Sequence, residues 1–371
     1  MTPLEEEIRA LIAAEGPIPV SRYMALCLAH PVHGYYLTRD PLGAKGDFTT
    51  APEISQMFGE LLGLWSAAVW QSMHAPQTVR LVELGPGRGT LMADALRAGR
   101  IVPGFTDAVD VHLVETSPVL RRKQEEALRP SGARVTWHAR IEDVPAGPSI
   151  ILANEFFDAL PIAQFVRAAN GWHERKVGIG PDGALAFGVD PISSPMASAF
   201  ARHIPPPYKP GAVLEHLESG AMEALAGRLA AGEGAALIID YGHMRSGLGD
   251  TLQALSAHRF ADPLAQPGEA DLTAHVDFAA LARSATRAGA RAFGPLTQGD
   301  FLERLGLSAR ADRLKFNATV DQKEAVDVAH RRLAGTADGE MGTLFKVLCL
   351  TSTAFVSPPG FDPSEAFSES P

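Results

Sequence analysis

An acid followed by a glycine-rich turn stands out in this chain, at Leu81-Val82-Glu83-Leu84-Gly85-Pro86-Gly87-Arg88-Gly89-Thr90. Glycines at a strand-to-helix turn permit positive φ and let a ligand lie against bare backbone. A dinucleotide fingerprint would need GxGxxG, but Thr90 stands at its third glycine position. Glu83, two positions before Gly85, would repel a pyrophosphate and attract a cation. S-adenosylmethionine (SAM) carries an ammonium and a sulfonium and no phosphate. Glu83, Gly85, Pro86, Gly87 and Gly89 are therefore candidate contacts to SAM rather than to a nicotinamide dinucleotide. The plainer reading is a tight turn that only packs helix on strand.

Three further groups suit the same ligand. Glu115 ends the next β-rich run, placed to accept from both ribose hydroxyls as an acid does in dinucleotide folds. Ser117 follows it. After a third run come Glu142 and Asp143, either of which could accept from an adenine amino group or simply sit in a charged turn. A fourth apolar run ends in Asn154-Glu155-Phe156-Phe157-Asp158. Asn154 joins the candidate cofactor set, while Glu155 and Asp158 are candidate catalytic groups. Carboxylates would hold a guanidinium nucleophile in a forked, bidentate way and help remove its proton. Helix capping after the strand is the alternative for both acids. Phe156 and Phe157 read as packing. Asp240-Tyr241-Gly242-His243, after a fifth apolar run, could line the same mouth. No Ser-His-Asp or Cys-His pattern points to hydrolysis, and no spacing indicates a metal.

These loops need strands and helices to hold them. Val79 to Leu84, Val109 to Glu115, Arg134 to His138, Ser149 to Ala153 and Ala235 to Tyr241 read as strands. Helices at Thr90 to Ala98 and Pro118 to Leu128 alternate with them, implying a parallel sheet covered by helices. A late strand is expected at Thr343 to Leu350. Upstream, Leu4, Ile8, Leu11 and Ile12 recur at helical spacing. Short and long helices follow at Val20 to Leu28 and Pro52 to Met73. The Gly- and Pro-rich stretch from Ala163 to Pro210 reads as an insertion with hairpins. Helices are expected at Glu215 to Ala230 and Asp277 to Ala288. The expected division is an N-terminal helical cap over 1–75 and a core over 76–162 and 211–356. An inserted substrate-side subdomain fills 163–210, and a disordered tail 357–371.

With 371 residues, 46% of them hydrophobic, the chain can build a full core. A net charge of −10 argues against general nucleic-acid binding and against docking on anionic membranes. No apolar stretch approaches the ~20 residues that span a bilayer. Cys27 and Cys349 read as buried reduced thiols. The N-terminus is acidic, with no apolar or Arg-rich leader, so a cytoplasmic protein is expected.

The motifs taken together resemble the MidA-like family of SAM-dependent methyltransferases, which includes a mitochondrial protein-arginine methyltransferase that assists assembly of respiratory complex I. The resemblance rests on Gly46-Asp47-Phe48-Thr49-Thr50-Ala51-Pro52-Glu53-Ile54-Ser55-Gln56-Met57-Phe58-Gly59-Glu60 and on Glu83 to Leu91. It continues through Val114 to Pro118, Ala153 to Pro161, Ile239 to Gly242, His275 to Phe278 and Thr297 to Phe301. It implies an α/β fold with a Rossmann-like seven-stranded methyltransferase sheet, an N-terminal helical part and an inserted subdomain. It also implies SAM as cofactor and symmetric ω-dimethylation of an arginine in a complex I subunit or its bacterial equivalent. Beside it, the loop from Asp47 could close over the cofactor, with Asp47 or the hydroxyl of Thr49 near the methionine end. A helix-capping role before Pro52 is the alternative. The competing functions are a non-catalytic SAM-binding assembly factor and a small-molecule O- or N-methyltransferase. A homodimer is a further expectation.

Overall fold

The computed structural model describes residues 1–38, 50–218, 220–256 and 259–368. The chain divides into two compact units, each described here by itself. The larger comprises the described residues of Thr49–Phe157, Ala221–Met244 and Val276–Pro371. The smaller comprises those of Met1–Phe48, Asp158–Gly220 and Arg245–His275.

The larger unit is built on a sheet whose strands are β1 (Val79–Leu84), β2 (Val109–Val114), β3 (Val135–His138), β4 (Ser149–Asn154), β5 (Gly234–His243), β6 (Arg291–Thr297) and β7 (Phe345–Thr351). Their order is β6-β7-β5-β4-β1-β2-β3, with the short strand Val276–Asp277 beside the end of β5. β1 to β5 run parallel, and β7 lies antiparallel between β5 and β6. This is the α/β sheet expected. The interior strands β1, β4, β5 and β7 are largely buried and mostly apolar on both faces, as strands covered by helices are. Strand order reverses between β1 and β4, and in open α/β sheets ligands bind at such a switch point, beyond the carboxyl ends of the strands.

Helix α1 (Gln56–Ser72) packs on α2 (Thr90–Gly99) at very close range. A Cβ at Gly63 would lie 2.4 Å from the Ala95 carbonyl oxygen, so only glycine fits there. This packing places the α1 segment in the larger unit rather than in an N-terminal cap. The expected helix from Pro52 is also interrupted. Ser55 adopts extended backbone, and its side chain accepts from Met57 N–H, which starts α1 afresh after the short helix Ala51–Ile54.

The described residues 357–368 pack on the larger unit, whereas a disordered tail was expected over 357–371. Phe361 is buried and its ring lies 5.4 Å from that of Phe301. Arg304 holds Glu365 with a fork of two 2.8 Å bonds. Composition alone misses such anchors, which here include the Trp65 indole donating to the Pro359 carbonyl and the Phe367 N–H donating to the Ala292 carbonyl. Phe361→Ala should destabilise the larger unit by about 3 kcal/mol. A fall in the urea midpoint with unchanged far-UV circular dichroism would show it, and an unmoved midpoint would mean the tail contributes nothing.

In the smaller unit, helices Pro3–Glu15 and Val20–Ala29 pack Leu4, Ile8, Tyr23 and Met24 against Ile162, Val177 and Leu272. Strands Ile162–Ala168, Gly171–Ile179, Leu185–Ser193 and Val213–Leu217 form an antiparallel sheet with Ile18–Pro19. A second sheet is formed by Gln253–Ser256, Arg259–Ala261 and Asp271–Thr273. The inserted part is thus larger than 163–210. Glu215 to Leu217 is strand rather than helix because it completes the ladder on Ile162–Ala168, and the helix begins only at Ala221. Cys27 and Cys349 are buried free thiols, as expected. Among the described residues, no helix is long and apolar enough to cross a membrane.

Candidate functional site

The carboxyl ends of β1, β2 and β4 lie side by side. Leu84 pairs with Val114 on one side and with Ala153 on the other, across strand spacings of about 4.8 Å. The loop after β1 therefore sits between Glu115 and Asn154. Its glycines all take positive φ: 62° at Gly85, 53° at Gly87 and 84° at Gly89. Gly85 N–H donates to the Val114 carbonyl at 3.1 Å, and Gly89 N–H to the Pro86 carbonyl at 2.7 Å. The Phe156 ring lies against Gly85, where a Cβ would come within 3.0 Å of its Cδ2. Phe157 is buried packing, as expected.

Glu83 is buried at the end of β1, and burial pushes its carboxyl up to about 8, against the pull of the Met92 N–H at the start of α2. Its Oε2 has no hydrogen-bond partner among the described residues, nor does Oδ1 of Asn154 at the end of β4. A buried acceptor without a donor is costly. Two of them at neighbouring strand ends, beside a turn of bare backbone, fit a ligand that brings donors or positive charge. Glu115 is also buried, which raises its carboxyl; Ser117 N–H and the Gln124 amide counter that rise, donating at 2.7 Å and 3.2 Å.

The other expected contacts fare differently. Ser117 spends its hydroxyl capping the helix Pro118–Leu128. Glu142 is solvent-exposed and paired with Arg140 at 2.9 Å, which lowers its carboxyl. Asp143 accepts from Arg140 N–H at 3.2 Å and closes a capping box, the turn role set out as its alternative. Asp47 and Thr49 lie outside the described residues. Glu155 sits at φ 50°, and its Oε1 accepts from Ala51 N–H at 3.2 Å and from Asn154 Nδ2 at 3.0 Å. A non-glycine residue at positive φ beside a ligand crevice is strained backbone of the kind that clusters at functional sites. Asp158 belongs to the smaller unit, where its carbonyl accepts from Ala274 N–H. Asp240 is buried and accepts from Phe157 N–H and Tyr241 N–H, both at 3.0 Å, so it anchors the loop after β4.

Three residues escaped the sequence reading. Gln124 touches both Glu115 and the Gly87 carbonyl, and Trp137 donates to it. Glu53 accepts from Thr90 Oγ1 at 2.5 Å and lies 3.8 Å from Arg88, tying the short helix Ala51–Ile54 to the glycine loop. Glu53 stands within the motif around Thr50 to Glu60. A buried glutamine on an amphipathic helix carries no comparable signal.

A family model described as "Putative S-adenosyl-L-methionine-dependent methyltransferase" matches residues 61–296. The chain belongs to this methyltransferase family. It is 38% identical to the protein arginine methyltransferase NDUFAF7 homolog, mitochondrial, of Drosophila melanogaster, over 94% of this chain and 84% of that protein. It is 40% identical to protein arginine methyltransferase NDUFAF7, mitochondrial, of Danio rerio, over 82% and 77%. A crystal structure from Burkholderia thailandensis with S-adenosyl-homocysteine bound superposes with a TM-score of 0.85 at 30% identity, over 98% of this chain and 95% of that one. The methyltransferase is thus a SAM-dependent enzyme, and the fold expected from the resemblance holds. The expected cytoplasmic location does not, because the relatives in fly and zebrafish are named as mitochondrial proteins.

The raised carboxyl of Glu83 has a measurable consequence. A carboxyl with a folded pKa above its unfolded value of 4.5 costs stability as pH rises from that value towards about 8, because only the folded state resists ionisation. Glu83→Gln removes the cost. Without ligand, the melting temperature of the variant should gain on the wild type between pH 5 and 8, then level off. S-adenosyl-homocysteine should narrow the gap, since its ammonium favours the ionised carboxylate. A gap that ligand leaves unchanged would mean Glu83 serves only the start of α2.

Proposed function

We propose that this methyltransferase methylates an arginine side chain of a protein, by symmetric ω-dimethylation of a respiratory complex I subunit or its bacterial equivalent, in support of complex assembly. The observation carrying this reading is about two-fifths identity, over most of the chain, to relatives named protein arginine methyltransferase. The bound cofactor supplies an electrophilic methyl carbon on a sulfonium. The protein's own work is to hold that cofactor, exclude water and orient the acceptor nitrogen. In this reading Gly85, Pro86, Gly87 and Gly89 supply the backbone cradle and Glu83 and Asn154 the acceptors for the ammonium end. Glu115 holds the ribose hydroxyls. Asp143 or Glu142, Ser117, Asp47 and Thr49 stay in the candidate cofactor set.

Glu155 and Asp158 are the proposed catalytic carboxylates. A guanidinium stays protonated in water, so a carboxylate beside it must both orient the attacking nitrogen and accept its proton. Mass spectrometry of complex I subunits from wild-type cells and from cells lacking this gene tests the proposal. Symmetric dimethylarginine in the first and its loss in the second is the expected result. An identical arginine pattern in both would sink it, and would leave a small-molecule acceptor or a non-catalytic assembly role.

A further inference from the structure

We propose that Gln124 is a positioning residue that sets the glycine loop and Glu115 for the cofactor. This rests on the reading of that loop and of Glu115 as cofactor contacts. Gln124 lies on the helix Pro118–Leu128 and is fully buried. Its Oε1 accepts from Trp137 Nε1 at 2.8 Å. Its Nε2 donates to the Gly87 carbonyl at 2.7 Å and to Glu115 Oε2 at 3.2 Å. An indole only donates, while a carbonyl and an ionised carboxylate only accept. The three partners therefore allow one orientation of the amide, with its oxygen towards Trp137 and its nitrogen towards the site.

Each bond acts on something the cofactor needs. Gly87, at φ 53°, has no side chain to anchor it, so the tie to its carbonyl fixes the peptide plane that also carries the Arg88 N–H. The loop cannot retreat from the helix without losing that tie, and Gly89 already abuts it: a Cβ there would lie 3.2 Å from the Gln124 Cα. On Glu115, Ser117 N–H holds Oε1 at 2.7 Å and Gln124 holds Oε2. With both oxygens held, the carboxylate plane is set. The Thr116 N–H also bonds this carboxylate, and of the roughly four acceptor sites of a carboxylate the rest stays open to a hydroxyl of a vicinal diol. Arg121 is a charged group whose field lowers this carboxylate, and it donates to the Glu115 main-chain carbonyl at 2.8 Å; the test variants leave it in place.

The test is the dissociation constant of S-adenosyl-homocysteine by calorimetry from pH 6 to 9, for the wild type, Q124E, W137F and E115Q. Q124E keeps the shape and reverses the polarity of the group facing Gly87 and Glu115. At high pH two carboxylates then oppose each other, and binding should weaken about tenfold or more. Towards pH 6 the pair takes up a proton, an O–H again donates to Glu115, and the loss should shrink to about threefold. W137F frees the amide to turn and should cost about threefold at every pH. Wild-type affinity in Q124E, or a loss of equal size at all pH values, would overturn the proposal. If Q124E yields no folded protein, W137F decides by its loss or its lack of one. E115Q separates the two readings. Unchanged affinity in E115Q removes the ribose role of Glu115 itself. A loss in E115Q with wild-type behaviour in Q124E removes only the positioning role of Gln124.

Discussion

Gly85→Val will abolish binding of S-adenosyl-homocysteine while leaving the protein folded. Gly85 has φ 62°, where a β-branched residue is strained by about 1–3 kcal/mol. The added Cβ alone comes within 3.0 Å of the Phe156 ring, and the two methyl groups of valine reach further. The turn after β1 has to open, which moves the backbone of Gly85 to Gly89 away from the ends of β2 and β4. Affinity should fall about 100-fold or more. The control is Gly132→Val. Gly132 has φ 72°, but a Cβ there meets nothing within 4 Å, and it ends a 3-10 turn after the helix Pro118–Leu128. Both variants carry the backbone strain, so both should melt lower, and only Gly85→Val should lose the ligand. Equal affinity in the two would move the cofactor away from this loop.

The second large effect is on turnover rather than binding. Glu155→Gln should lower the rate of methyl transfer about 100-fold or more while changing the S-adenosyl-homocysteine affinity less than about threefold. The substitution keeps an oxygen for the Ala51 and Asn154 donors and removes the negative charge. A guanidinium acceptor needs that charge twice, first to bind and then to give up its proton. Asp158→Asn, tested separately because Asp158 belongs to the other compact unit, should act in the same direction. If either variant transfers methyl groups at the wild-type rate, that carboxylate is not catalytic. If Glu155→Gln loses affinity and rate together, its task is to hold the segment at Ala51.

The core of the fold was legible because its signals are local. β1, β4 and β5 are short, largely apolar runs ended by turn residues, too short for a buried helix and flanked by the breakers that mark strands. Glycines forced to positive φ betrayed the loop after β1. What was missed depends on distant partners. The expected helix began at Glu215, and only the pairing of Val213–Leu217 with Ile162–Ala168 makes residues 215–217 strand. Helices Gln298–Arg304, Leu307–Lys315 and Val320–Ala334 were not expected. The first is short, and the other two are largely polar, so their pattern is faint. They are held by contacts such as the fork from Arg310 to buried Glu60. Glu142 keeps its place as a candidate for the adenine end by standing after the third strand, and its pairing with Arg140 shows only in three dimensions. The candidate site's acids stand out by their position in the strand order. The glutamine that joins two of its parts could be found only in three dimensions.

The most direct test is transfer by the purified protein. The chain would be incubated with methyl-labelled SAM and the complex I subunit fraction from cells lacking this gene, and the products digested for mass spectrometry. The account predicts label on arginine, as symmetric dimethylarginine, absent when Gly85→Val replaces the wild type. An unlabelled protein fraction, or label only on another residue type or on a small molecule, would contradict it.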